Sequence, residues 1–276
     1  MKMIRRVSWI VVGCLSMAAG AMGDGLRNPP EGAVALGKIG GKIVYADDAS
    51  AATHNPANLT DQTNASVMAS VTFGYGKKEF TDQLGQKAES TDNWGTLPNL
   101  FAAIPLDNGF AAGVSLTTPY GRSTTFDEDS PLRYTTAYYT ELYAVNLNPS
   151  LAYKVNDAVS VAAGLDVLYS DLEQKQVYPW SAATGNPATP DGELSVDADG
   201  EGLGYNAAIT WKVTDRQQAA LTYRSSTKVD YDGSLKVSGK PFPFSLQPES
   251  SDFSTEIEFP AVVAAGYGIQ LTDTVR

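Results

Sequence analysis

Asp47, Asp48, Ser50 and His54 are the residue types that a hydrolytic triad requires. On a helix only Ser50 and His54 would share a face, and no oxyanion hole is evident, so no catalytic residue is expected. His54 is the sole histidine, and one imidazole among carboxylates lacks the ligand spacing of a metal site. "GAVALGKI" (32–39) follows the phosphate-loop pattern until Ile39, which has no hydroxyl for magnesium, and no strand precedes it. "DADGEG" (197–202) imitates the first half of a calcium loop, with Gly202 at position six, but position twelve is Ala208. A solvated acidic turn is expected there rather than a calcium site. Neither a metal nor a cofactor is expected.

The start of the chain carries an address rather than chemistry. Lys2, Arg5 and Arg6 precede an apolar run from Val7 to Ala19, and Ala21 and Gly23 offer a cleavage site. Residues 1–23 therefore read as an export signal, with the mature chain beginning near Asp24. "VVGC" (11–14) also resembles a lipidation box at Cys14, although the apolar run before it is short and continues after it. Cys14 is the only cysteine and leaves with the signal, so no disulfide or thiol chemistry remains. Cleavage removes three of the 20 basic residues and none of the 31 acidic ones, leaving a net charge of −14. Such a chain repels phosphates, which argues against nucleic-acid partners.

From Asn64 onward the sequence alternates. Val159, Val161, Leu165, Val167 and Tyr169 oppose Ser160, Gly164, Asp166 and Ser170, and similar two-residue periods recur around 141–155, 201–213 and 254–271. Eight strands are expected, near 64–76, 97–106, 109–117, 141–155, 158–171, 201–213, 217–230 and 254–271. Their linkers are alternately long and short: "DNG" (107–109), "ND" (156–157) and "TDR" (214–216) are tight turns, whereas 77–96, 118–140, 172–200 and 231–253 are long and polar. Long loops at one end and short turns at the other indicate an outer-membrane barrel more than a secreted β-sandwich. The fold class is all-β, a transmembrane antiparallel β-barrel. Tyr143, Tyr153, Tyr169, Trp211, Tyr223 and Tyr267 suit an interfacial girdle. The apolar parity of the last five strands, including Ile257 and Phe259, is expected to face lipid and to be free of charge.

The mature N-terminus, "GDGLRNPPEGAVALGKIGGKIVYADDASAATHNPANL", resembles the N-terminal hatch of the FadL/TodX family of outer-membrane transporters for long-chain fatty acids and hydrocarbons. "TPYG" (118–121), "NPSLAYKVNDAVSVAAGLDVLY" (148–169), "LTYRSSTKVDYDGSL" (221–235) and "FPAVVAAGYGIQLTD" (259–273) extend the likeness in order. The resemblance implies a 14-stranded barrel closed by a hatch, so residues 24–63 are expected to plug the lumen and 64–276 to form part of the wall. Roughly the last six strands and the aromatic C-terminal residue of such barrels are lacking. It further implies that Asn55, Pro56 and Ala57 gate passage. Pro56 removes a donor and drives Asn55 extended, while Ala57 keeps the plug narrow. An exit beside a kinked strand is implied too, with Gly113 and Pro119 pointing to strand three.

Arg224 has luminal parity, so its guanidinium could meet a ligand carboxylate or pair with Glu256 or Glu258. The expected activity is passive uptake of a fatty acid or other hydrophobic small molecule by a monomer in outer-membrane lipid. The alternatives are a general porin and a structural or adhesive barrel.

Overall fold

The computed structural model describes residues 27–38, 42–81, 83 and 85–271. The signal, Cys14 and the start at Asp24 lie outside the described residues. Twelve strands follow a short N-terminal segment: β1 (Ser66–Tyr75), β2 (Glu79–Thr81), β3 (Lys87–Glu89), β4 (Trp94–Pro105), β5 (Phe110–Thr125), β6 (Tyr139–Lys154), β7 (Val159–Tyr178), β8 (Gly192–Thr214), β9 (Gln217–Arg224), β10 (Thr227–Val237), β11 (Ser250–Phe259) and β12 (Val262–Ile269). Ten of them form one antiparallel sheet, curled into a half-barrel, and β2–β3 is a separate hairpin in the first long loop. Among the described residues three short helices accompany them: α1 (Ala33–Gly37), α2 (Ala51–His54) and α3 (Trp180–Thr184).

The expected alternation of connections holds. Asn108 and Gly109 take positive φ (58° and 81°) to turn the chain between β4 and β5. Asn156 Oδ1 accepts the Ala158 and Val159 amides at 2.8 and 2.9 Å to close the β6–β7 turn. The long loops gather at the other end, and the wall strands run further into them than periodicity predicts. β7 continues to Tyr178 and β8 starts at Gly192, so "DADGEG" is a stretch of strand rather than a turn.

Alternation sorts the side chains. On β7, Val161, Leu165, Val167 and Tyr169 are exposed on the outer face, whereas Ser160, Asp166, Leu168 and Ser170 are buried on the inner one. On β8, Leu203, Tyr205, Ile209 and Trp211 face out, and Asn206 and Thr210 face in. Val159 pairs with Trp211 and Val167 with Leu203, so one apolar belt crosses both strands. Ten steps of strand at the usual tilt span roughly 26 Å, the height of a bilayer's hydrocarbon layer. The outward parity is not free of charge, contrary to expectation. Glu141, Asp171 and Glu201 occupy it, but at the loop-side margin of the belt.

The last two expected strands are each broken in two. β9 and β10 both pair with β8, end to end, and β12 and β11 continue them in the same way. Even residues face inward on β9 (Gln218, Ala220), odd ones on β10 (Val229, Tyr231). An irregularity of this kind shifts every later side chain to the opposite face. Ser225 bridges the break by exchanging bonds with the Tyr205 backbone, and Pro260, which has no N–H, occupies the corresponding point between β11 and β12. Ile257 and Phe259 therefore turn into the interior instead of facing lipid, and Phe259 is buried. Counting by twos assumed an unbroken register.

Placing a cation at the middle of the belt tests this orientation. Leu165→Arg should lower stability by about 2–4 kcal/mol in urea titrations in lipid vesicles, while Glu201→Lys, above the belt, should change it by no more than about 0.5 kcal/mol.

Candidate functional site

The N-terminal segment lies on the concave face near the short turns. Ala51 and Ala52 of α2, with Ala57 and Leu59 of the 3-10 turn Pro56–Asp61, are fully buried against wall residues such as Phe101, Ala111 and Ala152. Small side chains on both partners permit this approach. A Cβ at Gly113 of β5 would stand 2.9 Å from Leu59 and 3.0 Å from Ala52. One at Gly268 of β12 would meet the Tyr45 ring at 2.3 Å. These wall glycines are where the segment sits against bare backbone.

Polar groups fix its register. Asn55 is extended (φ −159°), as Pro56 requires. Its Oδ1 accepts the Ala57 amide at 3.1 Å, and its Nδ2 donates to the Ile43 carbonyl at 2.7 Å and Thr210 Oγ1 at 2.8 Å. Thr210 donates in turn to Asn58 Oδ1 at 2.7 Å, and Lys212 closes the short-turn end on Asp61 at 2.6 Å. Asn55, Pro56 and Ala57 are thus all buried between segment and wall.

The triad residues are not assembled. Ser50 Oγ accepts from Lys42 Nζ at 2.5 Å and donates to Asp48 Oδ1 at 2.6 Å. His54 turns away, its Nε2 2.8 Å from the Glu31 carbonyl and its Nδ1 3.9 Å from the Glu31 carboxylate. Lys42, Asp48 and Ser50 form a clasp within the segment, with Lys42 wholly buried.

Arg224 pairs with neither glutamate. Glu256 is taken by Lys228 at 2.6 Å, on the outer face, because the break after Arg224 reverses parity. The Arg224 guanidinium instead meets Asp166 of β7, which also accepts from Asn146 at 2.7 Å and Asn206 at 2.9 Å. Asp166 is 3 % exposed. A carboxylate so buried needs all three donors. Arg224 also reaches the Thr53 carbonyl at 3.4 Å, which links wall to segment. Beside it lies a cavity of about 320 Å³ bordered by Arg27, Glu31, His54, Asn206 and Arg224. Asp166 escaped sequence reasoning as a partner, though an acid on inward parity in mid-strand is itself a sign that a cation must come to it.

Toward the loops, the inner face becomes apolar: Tyr120, Leu142, Leu168, Val229, Tyr231 and Phe259 cluster, with the Tyr120 and Phe259 rings 4.4 Å apart. The wall beside this cluster is interrupted. The β4–β5 ladder stops at Leu100–Leu116, and β5 shifts register between Thr117 and Tyr120, around Pro119. Above that point β4 pairs only with β1. The free edge of β5 is met instead by the N-terminal segment. Arg27 bridges to Tyr120, and Asn28 donates to the Pro119 and Thr118 carbonyls, both at 2.8 Å. The Ser90–Phe126 bridge closes the interruption above.

Two measurements probe these contacts. Arg224→Met should cost about 3–5 kcal/mol by stranding Asp166, and adding Asp166→Asn should restore most of it, read from urea unfolding. The second concerns pH. Burial lowers the pKa of His54 from its usual 6.5, against the pull of Glu31. For Asp48, burial acts upward, but the Lys42 and Ser50 hydrogen bonds outweigh it and hold the carboxyl below 3.8. Both values are depressed, so both groups favour the docked segment at high pH and withdraw that support on acidification, His54 below 6.5 and Asp48 below 3.8. Amide exchange across 42–61, corrected for intrinsic rates, should accelerate between pH 7.5 and 5, and His54→Gln should flatten that rise.

Residues 18–274 match the family described as "Outer membrane protein transport protein (OMPP1/FadL/TodX)". A long-chain fatty acid transport protein of Escherichia coli O6:H1 is 31% identical over 226 residues, covering 73% of this chain and 50% of that protein. Outer membrane protein P1 of Haemophilus influenzae is 22% identical over 236 residues, 69% of this chain and 50% of that one. The chain spans about half the length of these curated relatives. Among solved structures, a Pseudomonas aeruginosa FadL homologue superposes with a TM-score of 0.71 at 21% identity, covering 91% of this chain and 67% of the other. The Pseudomonas putida toluene transporter TodX gives 0.55 at 17% identity, covering 82% and 63%. The fold and the matched span agree: this chain belongs to the OMPP1/FadL/TodX family of outer-membrane transport proteins.

Proposed function

We propose that the chain serves passive uptake of a hydrophobic small molecule across the outer membrane, with the N-terminal segment as the hatch. The observation that carries this reading is vertical order along the concave face. The apolar cluster around Tyr120 and Phe259 lies toward the loops, and the Asn55–Pro56–Ala57 turn is buried toward the short turns. A ligand descending the first meets the second as an obstruction. Exposed Phe242 and Leu246 at the tip of the loop between β10 and β11 are suited to first capture.

The interrupted β4–β5 ladder offers a sideways exit. Arg27 and Asn28 cover its β5 edge, so movement of the hatch would uncover the wall as well as the lumen. Each step needs only differential contacts. A ligand carboxylate reaching Arg224 has to compete with Asp166, and success would also weaken the link to Thr53. In this reading the protein works as a monomer in outer-membrane lipid. Relatives named for long-chain fatty acids and for toluene support a hydrophobic ligand of either kind.

A reversible tether tests the gate. Ala52 and Gly113 face each other across the hatch–wall contact, and Cys14 is the sole cysteine of the given sequence. Ala52→Cys/Gly113→Cys should block uptake of labelled oleate or toluene when oxidised and restore it when reduced. Removing residues 24–58 should make liposomes swell in sugars, as an open porin would. Unchanged uptake in the oxidised tether, with no sugar leak after the deletion, would dismiss the hatch.

A further inference from the structure

The apolar belt has a recess where it crosses β1, β4 and β5. Val67 pairs with Ala102 and Ala102 with Val114, and one row nearer the short turns Ile104 pairs with Ala112. Val67, Ile104 and Val114 are exposed on the outer face, whereas Ala102 and Ala112 are half-buried between them. Together they border a space of about 380 Å³, lined almost wholly by apolar atoms. That is the volume of a small-molecule pocket rather than of an ordinary gap between side chains. Gly113 lines it too, and on the inner side of Gly113 stand Leu59 and Ala52. The wall here is one backbone thick, with the N-terminal segment on one side and the recess on the other.

Its height follows from the neighbouring pairs. Phe110 opposes Tyr153, with the rings 4.7 Å apart, and Ala112 opposes Leu151 one row above. The ring pair marks the interface beside the short turns, the periplasmic side of such a barrel. The β4–β5 ladder is intact from Leu100–Leu116 to Pro105–Ala111, so the recess lies below the interruption near Pro119 and is closed to the interior. It opens onto the belt alone. Water does not fill an apolar hollow, and an empty one forfeits dispersion contacts along its whole lining. At this depth the matter that can fill it is hydrocarbon chain.

We propose that the recess holds one acyl chain of a glycerophospholipid of the periplasmic leaflet, whose glycerol and head group stand at the level of Phe110 and Tyr153. The lipid is a resident of the outer face and not cargo, because the intact ladder separates it from the lumen. Bulk tails are as apolar as the recess, so transfer out of water contributes nothing to its retention. Packing does: a chain lying over Ala102 and Ala112 touches Val67, Ile104 and Val114 as well as the floor, whereas a chain on a flat belt touches one side only. The seated lipid backs the wall at Gly113, opposite Leu59.

Native mass spectrometry of the full chain, extracted from outer membranes in mild detergent, tests the seat. Wild type should keep about one phospholipid per chain. Ala102→Phe and Ala112→Phe fill the recess and should each lower that occupancy about fivefold, and Val67→Ala, which removes a rim, should lower it about twofold. Ala163→Phe, at an exposed position on the outer face of β7, should leave it unchanged. Unchanged heat-modified gel mobility identifies variants that keep the fold. Wild type without bound phospholipid, or Ala102→Phe retaining as much as wild type, overturns the seat. So does a retained free fatty acid, which would make the recess part of a ligand path. A dimer that disappears in Ala102→Phe overturns it as well, by making the recess a contact between two copies.

Discussion

A bilayer offers no water to an unpaired peptide group, so a chain that crosses it with strands must bond each strand to its neighbours. That constraint governs this molecule. Pairing fixes alternation, and alternation gives β7 and β8 an apolar outer face and an inner face bearing Ser160, Asp166, Asn206 and Thr210. Many of those inner groups find partners inside the barrel. Thr210 and Ser160 bond the N-terminal segment, and Asp166 collects Arg224, Asn146 and Asn206. Where the β4–β5 ladder stops, Arg27 and Asn28 supply backbone partners to β5.

The contact between the N-terminal segment and the wall combines two kinds of interaction with different consequences. Alanines and glycines let the backbones approach closely, but they bury little area each, so the contact stays modest in strength. Hydrogen bonds from Asn55, Asn58 and Gln218 then fix where the segment sits. A plug made mainly of large side chains would be held far more tightly. Small residues set the fit of this seat and amides set its register.

Electrostatics divides the interior into zones. At the level of the N-terminal segment, Lys42, Lys212 and Arg224 each stand beside a carboxylate, and Arg224–Asp166 even ties wall to segment through Thr53. Along the apolar stretch the described inward positions carry one charge, that of Arg122 on β5. Acids accumulate instead on the outer face above the belt, where Asp171, Asp199 and Glu201 meet water. The overall negative charge of the chain is therefore a property of its solvated rim more than of its interior.

The alternation of β6, β7 and β8, the tight turns after Leu106, Val155 and Thr214, and the extended Asn55 before Pro56 were all legible in the sequence, because each depends on neighbours one to four residues away. The ends of β7 and β8 were not, since strands continuing above a membrane need no apolar residues to do so. Nor was the inward turn of Phe259. A single irregularity reverses parity, and whether Ser225 and Pro260 produce one depends on the strands beside them. Asp166 finding Arg224 across two ladders, and Gly113 and Gly268 yielding space to Leu59 and Tyr45, were likewise decided only in three dimensions. Local pattern determined which elements form and which face is oily. Register and curvature, which sum over the whole sheet, determined what meets inside it.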